Sequence, residues 1–262
     1  MDNLSPYQLR KRIKTEQFTG TTSGLANGYV QCNLVILPQA FADSFELFCR
    51  QNAQACPLIS KSQTPGEFLF PDLGHKLDIR TDIPKYRIYQ HGQLISETAN
   101  ITDYWREDSV AFLLGCSFSF EEALIAAGIE IRNITENKNV PMYTTNIANK
   151  AVTPFAGNMV VSMRPMSMED ALKAVEICSH YPRVHGAPVH IGDPAAIGIN
   201  DISNPDFGDA VTINEGEVCV FWACGVTPQV ALMQAKLPEA ITHSPGYMLV
   251  TDILNTSLQQ EA

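Results

Sequence analysis

Apolar and polar positions along the chain switch between a helical period and a strand period. Ser5-Pro6 followed by Tyr7, Leu9 and Ile13 gives a capped helix start with proline at its first position, and Phe18-Thr19-Gly20 is expected to end it. Tyr29 to Leu37 (YVQCNLVIL) is a mostly apolar run of strand length. Pro38 is then expected to open an amphipathic helix whose apolar side carries Phe41, Phe45, Leu47 and Phe48. Residues 57–78, rich in proline, glycine and polar side chains, read as loop. Tyr86–Tyr89 and Leu94–Ser96 flank Gln90-His91-Gly92-Gln93 as the arms of a hairpin.

Two stretches share one layout: an apolar strand, a small turn holding a cysteine, and an amphipathic helix. The first runs from Val110 through Gly115, Cys116, Ser117 and Ser119 to Glu122; the second runs from Val218 through Cys224, Gly225 and Thr227 to Pro228. Ser119 and Thr227 are expected at the helix N-caps, Ser119 with capping-box spacing to Glu122 and Thr227 ahead of a proline at the first helical position. The two units read as candidate related halves, although strand-turn-helix is a common α/β element. Between them, Ile129–Ile134, Pro141–Ile147 and Met159–Met163 read as short strands, Arg164-Pro165 closes the last, and Ser167 starts a helix reaching Tyr181. The expected fold class is α/β: a main domain of residues 1–118 and 215–262, a mixed-sheet α/β sandwich, with a smaller two-layer α+β domain of residues 119–214 inserted into it.

At 262 residues and 45% hydrophobic content the chain can bury a substantial core. Its 18 Lys and Arg against 28 Asp and Glu give a formal charge of −10, which repels phosphate backbones and anionic lipid, so neither nucleic acid nor a membrane is an expected partner. A small anion can still bind where helix N-termini and an arginine make a pocket locally positive. The seven cysteines, at 32, 49, 56, 116, 178, 219 and 224, form no CxxC pair, which argues against a disulfide scaffold or zinc ribbon and for a reducing, cytoplasmic setting. The basic cluster Arg10, Lys11, Arg12 and Lys14 has no apolar run behind it and reads as part of an ordinary first helix; no stretch approaches the ~18 apolar residues of a membrane span.

Cys116 and Cys224 are placed where a strand gives way to a helix, among backbone N–H groups and partial positive charge that would stabilise a thiolate as nucleophile or base; burial as small structural residues is the rival reading. Ser117, Ser119, Gly225 and Thr227 share these turns and are candidate carboxylate-binding positions. His185-Gly-Ala-Pro-Val-His190-Ile-Gly-Asp193-Pro is the densest cluster of functional side-chain types. Its histidines, five apart, fall on opposite faces of a strand, so acid/base work by His190 or His185 is favoured over a shared metal; the rival is a loop held by its own hydrogen bonds. Arg80-Thr81-Asp82 offers a carboxylate clamp or, alternatively, an Arg80–Asp82 surface pair, and His243 follows the second helix as a further candidate. No GxSxG, GxGxxG or Walker A pattern occurs, no cofactor is evident, and a divalent metal has no ligand motif to support it.

These residues fall in blocks that resemble the D-glutamate cyclase family, whose bacterial members are described as hydro-lyases: Thr21–Leu34, Asp78–Asp82, Asp103–Arg106, Leu114–Glu121, Asn139–Tyr143, His185–Pro194, Phe221–Pro228 and Ile241–Gly246. The resemblance runs nearly end to end. It implies a two-domain α/β lyase, active on a small anionic amino acid, that converts D-glutamate to 5-oxo-D-proline with loss of water. The chemistry of that reaction, rather than the resemblance, suggests the roles: His190 or His185 exchanges a proton, the Cys116 and Cys224 turns hold carboxylates or the oxyanion, and Arg80 fixes the α-carboxylate, with Asp82, Asp193 and His243 beside them. Two other classes stay open: a cofactor-independent racemase using Cys116 and Cys224 from opposite sides of one Cα, and a non-catalytic carboxylate-binding protein. A homo-oligomer is also left open.

Overall fold

The structure is a computed structural model that describes residues 4–259. Its elements run α1 (Pro6–Lys14), β1 (Tyr29–Pro38), α2 (Ala42–Gln51), β2 (Leu58–Lys61), β3 (Tyr86–Gln90), β4 (Gln93–Thr98), β5 (Ser109–Gly115), α3 (Phe118–Ala126), α4 (Arg132–Thr135), β6 (Met142–Ala148), β7 (Asn158–Met166), α5 (Met168–Ser179), β8 (His190–Ile191), β9 (Val218–Ala223), α6 (Thr227–Ala235), β10 (Ala240–His243) and β11 (Leu249–Leu254). One sheet has seven strands in the order β2-β5-β1-β10-β3-β4, with β11 also on β1; the other has four in the order β6-β7-β9-β8. The expected α/β class holds, but every pairing between named strands is antiparallel rather than mixed. A strand buried on both faces, as β1 is, carries the same apolar run in either sense, so its sequence does not reveal direction.

Several boundaries moved for identifiable reasons. Val218–Ala223 was expected in the main sheet with residues 215–262, yet β9 pairs with β7 from Val161 to Met166 in the smaller one. The segment read as loop supplies β2, an edge strand on β5. Ile129–Ile134 is not a strand: Arg132 ties this stretch to Glu130 (2.9 Å) and to Glu217, and a short helix forms. Pro38 ends β1 instead of opening α2, and Leu47 is 46% exposed on the outer face of that helix. The hairpin stands, with His91 and Gly92 at positive φ (48° and 79°) as a two-residue turn requires. α1 carries the capping box Ser5–Gln8, ends at Lys14, and sends Arg10 inward to Asp252 (2.8 Å) and the Val250 carbonyl (2.9 Å).

The two sheets share their apolar interior. Trp222, Val220 and Met166 of the smaller sheet pack in one core with Leu34, Ile36 and Leu113 of the larger. A second cluster joins Phe45, Phe48 and Phe112 to Phe155 and Ala223, with Phe45 edge-on to both Phe112 and Phe155 at about 5 Å. The ends of β5 and β9 are brought together by this shared packing.

Candidate active site

The site begins with a break in the sheet. Along one edge β1 pairs with β5 from Cys32 to Pro38; along the other it pairs with β11 up to Cys32 and with β10 only from Val35. Residues 244–248 leave the sheet in between, so Asn33 and Leu34 lack a strand partner on that side. The side chain of His243 fills the gap: the Leu34 N–H donates to its Nδ1 (3.1 Å). Nδ1 also stands 3.3 Å from the Leu34 carbonyl, and Nε2 stands 3.3 Å from the side-chain amide nitrogen of Gln229, a donor. Asn33 turns the other way and donates from Nδ2 to the Gly115 carbonyl (2.6 Å) at the end of β5.

Into this break project both cysteine turns. Cys116, Ser117 and Phe118 from the first and Cys224, Gly225 and Val226 from the second line one narrow pocket with Asn33, Asn139 and His243, with a cavity volume of about 20 Å³. The backbone N–H of Phe118 reaches the Cys116 sulfur and that of Val226 the Cys224 sulfur, the same relation in each turn. Gly225 is required by close approach, since a Cβ there would overlap the Asn33 carboxamide. The expected N-caps Ser119 and Thr227 lie inside the helices, which are capped by Ser117 and Val226 without side-chain hydrogen bonds; Glu122 makes no capping box. Their hydroxyls instead lock each helix to the neighbouring central strand: Gln31 N–H donates to Ser119 Oγ (3.0 Å), and Val160 N–H donates to Thr227 Oγ1 (3.0 Å).

Behind Ser117 lies a fully buried ion pair. Arg164 of β7 bonds Glu121 of α3 through Nε (3.2 Å) and Nη2, donates to Ser117 Oγ (3.1 Å) and Ser162 Oγ (3.1 Å), and lies beside the rings of Phe120 and Trp222, which pack 5.7 Å apart. Because the guanidinium occupies a lone pair of Ser117, the hydroxyl proton is free to point into the pocket. Of the two readings of the turns, a stabilised thiolate or a small buried residue, the burial of both sulfurs supports the second. Burial pushes the Cys116 thiol far up and the Cys224 thiol up to about 11, outweighing the backbone N–H at each sulfur. Burial also lowers His243 to about 4. At neutral pH the pocket therefore holds protonated thiols and a neutral imidazole, facing the positive ends of α3 and α6.

The other expected site residues are elsewhere. His185 is buried, bonded through Nδ1 to the Gln54 carbonyl (2.8 Å), and lowered to about 4 by burial; it does not line the pocket. His190 Nε2 bonds the Asp193 carbonyl (2.8 Å) and Asp193 Oδ1 caps Ala195 (2.9 Å), the self-bonded loop that was the rival reading. Arg80 bonds Asp78 through two contacts of 2.9 Å, not Asp82, and lies 3.3 Å from the centroid of the Phe68 ring; it does not line the cysteine pocket. Asp82 is buried, accepting from the Asp78 N–H (3.0 Å), 3.8 Å from Arg10, with burial raising its carboxyl. Asn33 and Asn139 were not singled out as site residues; a polar side chain inside the apolar run of β1 was the available signal for Asn33. Among the described residues no group of three or more His, Cys, Asp or Glu side chains is arranged for a metal, and no helix is long and apolar enough to cross a membrane.

Fold and pocket define an α/β protein with a narrow pocket formed where two antiparallel sheets meet. The model of the family described as D-glutamate cyclase matches residues 110–252, which contain both cysteine turns. A Burkholderia multivorans protein named "Putative hydro-lyase" is 52% identical over 258 residues, covering 98% of this chain and 99% of its own. One from Bordetella pertussis, also so named, is 52% identical over 252 residues, 96% of this chain and 91% of its own. A nitrogen repressor-like protein of Methanococcus jannaschii aligns over 90% of this chain and 91% of its own at 9% identity, with a TM-score of 0.39, too low to carry an argument. The chain belongs to the D-glutamate cyclase family, a family of lyases.

Proposed function

We propose that the pocket between the two cysteine turns cyclises an acidic amino acid, with D-glutamate as the substrate the family implies. The observation that supports this is the convergence of two helix N-termini and a set of uncharged proton carriers on one pocket. Glutamate brings two carboxylates, and two positive helix ends suit them.

The proton balance of the reaction fits neutral groups. The substrate nitrogen starts as an ammonium and ends as a lactam N–H, losing two protons; the departing carboxyl oxygen gains two and leaves as water. One N–C bond forms and one C–O bond breaks, with no net proton taken up or released. Thiol, hydroxyl and imidazole groups that keep their resting protonation can relay both protons. Ser117, its hydroxyl directed by Arg164, holds the α-carboxylate. Asn33 and the neutral imidazole of His243 stand at the γ-carboxyl end, where a tetrahedral oxyanion needs donors. Cys116 and Cys224 carry protons between nitrogen and leaving oxygen. The division into two domains and a cytoplasmic setting belong to this proposal; all seven cysteines are free thiols, in keeping with the latter.

The presence of both cysteines in one pocket favours a second reading, racemisation through opposed thiols. Their raised pKa values weigh against it, because removing an α-proton needs one thiolate at rest. Proton NMR of D-glutamate with the protein in deuterated buffer separates the two. Cyclisation yields 5-oxoproline with its α-proton retained; racemisation yields α-deuterated glutamate without ring closure. If neither product forms, both readings fail for glutamate and carboxylate binding without turnover takes their place.

A further inference from the structure

A second cavity lies along α3 and shares Phe118 with the cysteine pocket. Residues 24–29, Gln31, Glu121, Glu122 and Asn255 line it. Its polar side chains present oxygens. Gln31 is 3% exposed, and its Nε2 donates to the carbonyls of Thr22 (3.1 Å) and Leu25 (3.0 Å), which fixes the amide and turns Oε1 away from both. That Oε1 is buried without a partner, as is Oδ1 of Asn255, a residue 6% exposed. Glu121 gives one oxygen to Arg164; among the described residues no donor is aimed at the other. Glu122 stands at the rim, its carboxylate 3.6 Å from where a Cβ on Gly28 would lie.

Buried acceptors without donors cost free energy until something electropositive meets them. We infer that this cavity is a binding site for a small monovalent cation, potassium, sodium or ammonium, coordinated by Gln31 Oε1, Asn255 Oδ1 and the second oxygen of Glu121. A single charge fits the donor set: two neutral amides and one carboxylate already shared with Arg164 are too weak a field for calcium, and magnesium demands stricter geometry. An ion here bears on the cysteine pocket through Glu121, Arg164 and Ser117, but its binding does not depend on what reaction that pocket performs.

Thermal unfolding at constant ionic strength tests this, replacing tetramethylammonium chloride stepwise by potassium, sodium or ammonium chloride. At least one small cation is expected to raise Tm by about 2–4 °C once it exceeds its dissociation constant about fivefold, and tetramethylammonium, too large to enter, is not. Gln31→Leu is expected to abolish that difference. Asn255→Asp, which keeps the side-chain volume and adds a charge, is expected to lower the half-effective concentration about fivefold, and it serves where the leucine variant does not fold. A Tm that follows ionic strength alone, whichever cation is present, overturns the inference and leaves the cavity to water. So does an Asn255→Asp variant with unchanged cation response.

Discussion

The two cysteine turns have the same layout and opposite surroundings. In the first, Ser117 and α3 rest on the buried Arg164–Glu121 ion pair. In the second, Gly225 leaves room for Asn33, and α6 presents Gln229 to the neutral His243, whose carbonyl accepts from Nε2 (3.2 Å). Each helix is pinned by a hydroxyl to the central strand of its own sheet, then reaches across with the residue two positions further on: Glu121 to β7, Gln229 to β10. A repeated scaffold thus carries a charged end and a neutral end. A substrate with two carboxylates, only one of which reacts, needs that asymmetry.

Breaking the charged end should have the largest effect on the fold. Arg164→Met strands a buried carboxylate and is expected to cost about 3–5 kcal/mol in urea unfolding, whereas adding Glu121→Leu to it should recover most of the loss. If the double variant is no more stable than the single, the ion pair is not what the first turn rests on.

Acid sharpens the contrast. The folded protein holds His243 near 4, below its ordinary 6.5, so between these values the unfolded chain binds a proton that the fold refuses. Stability should therefore fall as pH drops from 6.5 towards 4, by about 3 kcal/mol from this residue, and be flat with respect to it above 6.5. His185 acts in the same direction. Glu121 acts oppositely, because burial raises its carboxyl: its contribution is complete below about 4.5 and diminishes as pH rises through the folded value. Urea titrations across this window should show a shallower acid-side slope for His243→Gln than for the unsubstituted chain.

Two smaller changes probe the second turn. Gly225→Ala forces a methyl into the Asn33 carboxamide and should cost about 1–3 kcal/mol, while Ser117→Ala at the matching position should cost under about 1 and weaken only carboxylate binding. Gln229→Ala should cost about 1 kcal/mol, far less than Arg164→Met, as a neutral hydrogen-bonding residue does. Equal losses at Gln229 and Arg164 would erase the distinction between the ends.

Much of this was legible in sequence where local chemistry decides. The strand-turn-helix repeats, the hairpin at His91-Gly92 and the α1 cap follow from nearby residues alone. What pairs with β9, and whether His190 or His243 reaches the cysteines, depends on contacts between distant segments. His190 stood in the richest local motif yet bonds only its own loop, while His243 reaches the pocket because β1 changes partner at Asn33 and Leu34. The choice between thiolate and thiol at the cysteines has a related cause: turn geometry favours the anion, but the depth of burial, set by both sheets together, favours the thiol more.

The central claim is that the cysteine pocket, not the histidine loop, performs the chemistry. The direct test is the rate of 5-oxoproline formation from D-glutamate by Cys116→Ala, Cys224→Ala and His190→Ala beside the unsubstituted protein. The account predicts that each cysteine variant loses about 10²-fold or more in kcat/KM while His190→Ala stays near the parent rate. Loss of activity in His190→Ala with both cysteine variants active would contradict it.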